Sequence, residues 1–435
     1  MTRAGETIPE TKPARTLFGH PPGLTVLFLT QMWAEFSFFG LQALLVYYMT
    51  KHLGFAQSKS SVIYGIYGAA AFFSPFFGGL IADRWLGRTL SVIIGGVMMM
   101  LGHFAMAFES LLFPALTLVA LGNGLFIPPL ATQVGSLYGD KDPRKAYAYS
   151  AYYMGINLGG LLAPLVCGTL GELYGWHWGF AAAGIGMAIG LVVYLTFLRH
   201  LPPEPVRARR DETRSIGGTP IDASKLKTLF LLVAMVVLFR VGYEQSGNVI
   251  ALWVRDFTDR SVGAGAAIPA TWFQSINPLL IILLTPVLIR FWRSRGVAET
   301  VPNLLRRMSF GCVLAGLAMA LMVGAAAVSG PEAARVSSWW TIGYFILLTL
   351  GELFVIPVGL TLVETLSPAA FAATAMGAWY IAKFLGSLLA GFMGAYWLKI
   401  PPSDFFALGM VSPLLAAVCL YAMARMTEAR QTAAI

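Results

Sequence analysis

Twelve long apolar stretches follow one another along this chain, near residues 22–50, 60–82, 89–108, 111–138, 146–174, 178–198, 228–254, 268–292, 305–329, 339–365, 371–397 and 404–425. Each can cross a bilayer as an α-helix, which takes about 20 residues. Lipid offers the backbone no hydrogen-bond partners, so a spanning segment must satisfy its own amides, as a helix does. The expected fold class is an all-α membrane protein. Composition agrees: charged residues make up 12% of the chain, against about a quarter in a soluble domain. The polar opening through Arg15 lacks the apolar core of a signal peptide, and none is expected. Cys167, Cys312 and Cys419 lie inside apolar runs, so neither a disulfide nor a cysteine metal site is expected.

The net charge of +9 raises the question of a nucleic-acid partner, but the placement of the basic residues gives another answer. Most fall in alternate loops: Arg3, Lys12 and Arg15, then Arg84 and Arg88, Lys141, Arg144 and Lys145, Arg199, Arg207, Arg209, Arg210 and Arg214, and Arg290 to Arg307. The intervening loops hold only Lys51, Lys59, Arg255, Arg260, Arg335 and Lys399. Basic loops stay on the cytoplasmic side. Both termini are therefore expected in the cytoplasm of a multi-pass cell-membrane protein. The basic excess is topological, and no nucleic acid is expected to bind.

A polar segment containing Pro202, Pro203, Pro205, Gly217 and Gly218 interrupts the apolar pattern. It predicts an N-terminal six-helix bundle over 1–199, a cytoplasmic linker over 200–227 and a C-terminal six-helix bundle over 228–435. The halves echo each other. Tyr153 to Ala163 in the fifth span reads like Tyr380 to Ala390 in the eleventh, and Leu80 to Arg88 reads like Leu288 to Arg295. Duplicated bundles suit a transporter that rocks about a site near the membrane midplane.

Several motifs resemble a known family. Gly79-Leu-Ile-Ala-Asp83-Arg84-Trp-Leu-Gly87-Arg88 looks like the cytoplasmic loop motif of the major facilitator superfamily. It is expected to make a tight glycine-permitted turn, with Asp83 and Arg84 bracing two helix ends. His20-Pro-Pro-Gly, the run Gln31 to Gly40, Tyr152 to Gly159, Gln274-Ser-Ile-Asn277-Pro, Gly351-Glu352 to Pro357, Glu244-Gln245-Ser-Gly and Met376-Gly-Ala-Trp379 resemble the proton-dependent oligopeptide transporter (POT/PTR) family. The resemblance covers nearly the whole chain. It implies twelve helices in two pseudo-symmetric bundles and proton-coupled symport of di- and tripeptides or peptide-like compounds by alternating access. On that pattern Tyr67, Asn157, Asn277, Glu352 and Trp379 would line the pocket, and Glu352 with the asparagines would hold a ligand's amino group. No cofactor, metal or catalytic residue is implied, and a monomer is expected.

The chain departs from that family's pattern where charge matters. The first-helix signature E-x-x-E-R-F-x-Y-Y reads here Gln31, Ala34, Glu35, Phe36, Phe38, Phe39, so both signature glutamates, the arginine and two tyrosine hydroxyls are replaced. Basic residues expected in spans 1 and 4 are Gln42 and Ile127. Other charges stand inside the spans instead: Glu35, Arg240, Glu244, Glu352 and Lys383. A charge at the bilayer centre costs about 2.5–3.5 kcal/mol on insertion scales, so each needs a partner or a wet cavity. Arg240 and Glu244 stand four residues apart, where helical geometry alone pairs them, and a structural role fits them. Glu35 and Glu352 suit substrate binding, and Glu35, Glu352 and Lys383 suit proton coupling and gating, with Arg240 and Glu244 joining that coupling set. A Lys383–Glu352 bridge between spans 11 and 10 is expected to break on protonation. The acidic excess also fits a transporter of cationic amines or drugs, and the scaffold alone fits a non-transporting nutrient sensor. Asn157 and Asn277 equally suit helix–helix hydrogen bonding. Trp176, Trp178, Trp292, Trp339, Trp340 and Trp397, at span ends, are expected to anchor at the membrane interface.

Overall fold

The computed structural model describes residues 19–139, 142–204, 223–263, 265–296, 299–330, 332–367 and 372–433. Arg3, Lys12, Arg15, Lys141, most of the expected linker and its arginines Arg207, Arg209, Arg210 and Arg214 lie outside these residues.

The first half contains α1 (Pro22–Tyr47), α2 (Gln57–Ile81), α3 (Arg88–Ala105), α4 (Leu112–Ser136), α5 (Arg144–Ala163) and α6 (Trp176–Thr196). The second contains α7 (Ala223–Tyr243), α8 (Val249–Phe257), α9 (Ile276–Arg295), α10 (Val301–Ser329), α11 (Trp339–Leu366), α12 (Ala372–Gly394) and α13 (Pro402–Ala433). Helices α7 and α8 are one membrane span broken in the middle. Among the described residues, 11 segments are long and apolar enough to cross a membrane. Helix α12, with Lys383 at its centre, completes the twelve. The chain is a multi-pass α-helical membrane protein.

The spans follow the apolar stretches closely, but several end in wider π-helical turns that the pattern does not show. Tyr48–His52 extends α1, Ala82–Leu86 extends α2, and Pro164–Gly168 with Leu170–Tyr174 carries the fifth span past Pro164. A proline inside a helix removes a backbone donor and crowds the preceding turn, and the change of winding after Ala163 begins at such a residue. The broken seventh span runs from α7 through a 3₁₀ turn at Glu244–Gly247 and Asn248 (φ −108°, ψ −92°) into α8.

Within the first half, α1 packs on α5 and α6, α3 on α4 and α6, and α2 on α4. Within the second, α10 packs on α11 and α13, and α7 on α12 and α13. The halves meet along two seams, α2 against α12 and α5 against α9. At the first seam the backbones touch: a Cβ placed on Gly65 would fall 2.5 Å from the Gly391 Cα. Trp339 is 74% exposed, as an interface anchor should be, but Trp397 is only 2% exposed. It is buried because Trp253, Phe405 and Phe406 close around it.

The 82–88 loop shows how its motif works. Gly87 sits at φ +78°, in the left-handed region that glycine tolerates without Cβ strain. The bracing differs from expectation. Asp83 and Arg84 are exposed. The contacts come from Arg88, whose Nη1 donates to Ser136 Oγ at 2.8 Å, and from Glu204, whose carboxylate accepts from the amides of Arg88 at 3.1 Å and Thr89 at 2.5 Å. A carboxylate at a helix start satisfies orphan N–H groups and suits the dipole. Desolvation works against the Glu204 charge, but the Thr89 bonds, the Arg88 amide and the Arg88 guanidinium outweigh it and hold its carboxyl below the usual value.

Candidate functional site

A cavity of about 370 Å³ lies between the halves, within the ~300–1,000 Å³ of small-molecule sites. Glu35 from α1, Asn157 from α5, Arg240 from α7, Glu244 from the turn after it, Asn277 from α9, Glu352 from α11 and Lys383 from α12 all face it. Thus one chamber collects the ionisable residues that sequence reasoning placed inside the membrane. Tyr67 and Trp379 are not in its wall. Tyr67 is 3% exposed and stacks on Phe38 at 6.0 Å. Trp379 is also 3% exposed and packs over Gly359, so it supports the wall from behind.

Each buried charge has a distinct environment. Glu35 Oε1 accepts from Gln31 Nε2 at 2.7 Å, one turn earlier on α1. The Gln31 carbonyl accepts in turn from the Tyr152 hydroxyl at 2.6 Å. Glu352 accepts from Asn277 Nδ2 at 2.8 Å and from the Tyr243 hydroxyl at 3.2 Å. Asn277 also donates to Thr349 Oγ1 at 3.0 Å. Arg240 pairs with Glu244 across one helical turn, as the spacing predicts, and its guanidinium lies 4.8 Å from the Tyr243 ring centre. Both members of this pair are buried.

The expected Lys383–Glu352 bridge is absent. Neutral donors from α7 and α9 hold the Glu352 oxygens, while Lys383 Nζ lies 5.0 Å over the Phe72 ring and 5.8 Å from that of Tyr380. Asn157 donates back to Tyr153 O at 3.0 Å, within its own helix, so helix–helix bonding is not its role here. Tyr152 entered the sequence reading only as the first residue of a motif, with no role given to it, and Tyr243 not at all. The signal that could have found both is chemical: a tyrosine inside a span needs a partner for its hydroxyl.

Hydrogen bonds joining the halves gather at the end of the molecule opposite the 82–88 loop. Tyr47 donates to Ala251 O at 2.9 Å, Ser61 to Asn248 Oδ1 at 2.8 Å, and Arg255 to Thr50 Oγ1 at 2.9 Å. Gln57 donates to Gly394 O at 2.9 Å. The strongest clasp is Glu172. Its carboxylate, at the end of the fifth span, accepts from Ala270 N at 2.9 Å, Thr271 N at 2.8 Å and Thr271 Oγ1 at 2.7 Å, where the eighth span begins. At this end the cavity is roofed. Tyr153 and Tyr380, by contrast, line it and remain 42% and 40% exposed.

Comparison with known proteins matches this architecture. Residues 27–391 fit the model of the Major Facilitator Superfamily. The chain is 32% identical to the uncharacterized transporter YclF of Bacillus subtilis (strain 168), over 95% of this chain and 96% of that protein. It is 32% identical to the peptide transporter YePEPT of Yersinia enterocolitica, over 90% of this chain and 91% of that one. A crystal structure of the peptide transporter POT in complex with sulfate superposes with a TM-score of 0.86 at 30% identity, over 95% and 96% of the two chains. This chain belongs to the POT family of the major facilitator superfamily. A POT-family fold explains why two six-helix bundles meet at a polar cavity. It leaves the distinctive charge set of this member, Glu35 and Lys383 above all, to be read from its own geometry.

Proposed function

We propose that this chain moves di- and tripeptides or peptide-like compounds across the cell membrane together with protons, by alternating access. The observation that carries the reading is the placement of buried ionisable groups from both halves around one cavity that is clasped at one end. A site shared by two bundles reaches either side when they rock, and the clasp at one end is what rocking must open. The basic loops place the 82–88 end in the cytoplasm. On that topology both termini are cytoplasmic, the clasp is extracellular, and the arrangement described faces inward. The bundles 1–199 and 228–435 act as the two moving bodies, joined by the 200–227 linker, and one copy of the chain contains the whole site.

Glu35, Glu244 and Glu352 supply the proton chemistry. Desolvation favours a neutral carboxyl and a nearby cation favours the charged form, so movements that change either one change proton affinity. The Arg240–Glu244 pair and Lys383 set that balance.

The test is uptake into proteoliposomes. With the lumen at neutral pH and the outside acidic, labelled alanyl-alanine should accumulate above its external concentration, and a protonophore should abolish the accumulation. Flux that only equilibrates would refute proton coupling. Binding without any flux would point instead to a sensor.

A further inference from the structure

Charge is unevenly divided between the two walls of the cavity. Among the described lining residues, the first half contributes one acidic side chain and no basic one: Glu35. The second half contributes Arg240, Glu244, Glu352 and Lys383. Arg240 and Glu244 neutralise each other. Glu352 has a donor on each oxygen, Tyr243 on Oε1 and Asn277 on Oε2. Among the described lining residues, Glu35 and Lys383 are the two charged side chains that stand outside an ion pair and still have polar atoms without a donor or acceptor, one on each wall and close enough to act on each other electrostatically. Glu35 has Gln31 on Oε1 alone. Lys383 has aromatic neighbours, Phe72 and Tyr380.

We propose that a zwitterionic ligand bridges the halves with its ammonium group on Glu35 and its carboxylate on Lys383. The idea rests on the transport reading above and adds the sense in which the ligand lies. It reverses the arrangement implied by family resemblance, in which Glu352 takes the amino group.

The physical reason is compensation. An isolated charge in a low-dielectric chamber is costly, and the cost falls when an opposite charge meets it in good geometry. A zwitterion relieves both open charges at once. A simple amine relieves Glu35 and leaves Lys383 alone, so the site selects against it despite its excess of carboxylates. The substrate class is therefore compounds with an ammonium and a carboxylate held apart, short peptides among them. Because the anchors belong to different bundles, the ligand also ties the halves together, which a ligand held by one wall cannot do.

The experiment measures affinity of the purified full chain for alanyl-alanine, its C-terminal amide and its N-acetyl derivative. It compares the natural protein with Glu35→Gln, Lys383→Gln, Lys383→Arg and Glu352→Gln. The natural protein should prefer the free dipeptide over each derivative by about tenfold or more, the worth of one charge-assisted bond. Lys383→Gln should bind dipeptide and amide alike, and Lys383→Arg should restore the preference. Glu35→Gln should bind dipeptide and N-acetyl derivative alike, while Glu352→Gln keeps both preferences. Loss of the amine preference in Glu352→Gln and its survival in Glu35→Gln would overturn the proposed sense. So would equal weakening of dipeptide and amide in Lys383→Gln. A natural protein that binds none of the three compounds refutes the peptide reading itself, a result distinct from either reversal.

Discussion

Removing the Glu172 side chain should release the outer clasp. Glu172→Ala deletes three hydrogen bonds between the halves, to Ala270 N, Thr271 N and Thr271 Oγ1. A bond to a buried charge contributes about 1.5–3 kcal/mol. Glu172 is only half-buried, so about 1 kcal/mol per bond, or about 3 kcal/mol for the clasp, is the appropriate figure. That energy exists only where the halves touch at this end, so its loss moves the equilibrium between clasped and unclasped forms by about 150-fold. Pulsed electron spin resonance reads such a shift. Phe108 and Trp339 are 63% and 74% exposed, belong to opposite halves and lie at the clasped end. Spin labels there, in a chain with its three natural cysteines replaced, should gain a population at longer distance in Glu172→Ala. Glu172→Gln, which keeps one acceptor oxygen, should fall between. An unchanged distance distribution would show that the remaining outer bonds and the α2–α12 seam hold the halves together, and the reasoning would fail.

Three further outcomes follow from the packing. Gly65→Ala should lower the melting temperature of the detergent-solubilised protein and cut uptake, because its Cβ would lie 2.5 Å from the Gly391 Cα and 2.8 Å from Ser387 O, and backbone cannot swing aside as a side chain would. Arg240→Ala should destabilise by about 3–5 kcal/mol by stranding Glu244, and the double change with Glu244→Ala should be milder than the single one, as thermal melts of all three variants would reveal. Glu204→Gln should cost about 1 kcal/mol at neutral pH, as for loss of a helix cap. The Glu204 carboxyl is held below its usual value, so its stabilisation is present above the ordinary carboxylate range and lost as pH falls through the lowered one. The gap in melting temperature between Glu204→Gln and the natural chain should close in acid.

Much of the fold could be read from the order of residues because lipid imposes a single demand, a run of apolar side chains long enough to cross it. Glu35, Arg240, Glu244, Glu352 and Lys383 stood out for the same reason: each violates that demand. They gather at one cavity, Glu35 from the first half and the other four from the second. The Arg240–Glu244 pair was legible because it is local. Partnerships between helices were not. Glu352 meets Tyr243 and Asn277, 109 and 75 residues away in sequence, and no periodicity announces which neighbours will reach it. Nothing local in the sequence marks Glu172, whose partners Ala270 and Thr271 lie 98 and 99 residues away. Tyr67 and Trp379 belong to the right helices, but the rotation of each helix about its axis turns their rings away from the cavity wall.

The break in the seventh span has a mechanical consequence. An intact helix is a rod: push one end and the other must follow. Here Glu244–Gly247 and Asn248 interrupt the rod beside the cavity, and Ser246 and Gly247 belong to its wall. Beyond the break, α8 carries Ala251, which receives Tyr47, and Arg255, which reaches Thr50. The span is thus two short segments joined at the chamber rather than one stiff rod, the outer one bonded to the first half and the inner one packed on α12.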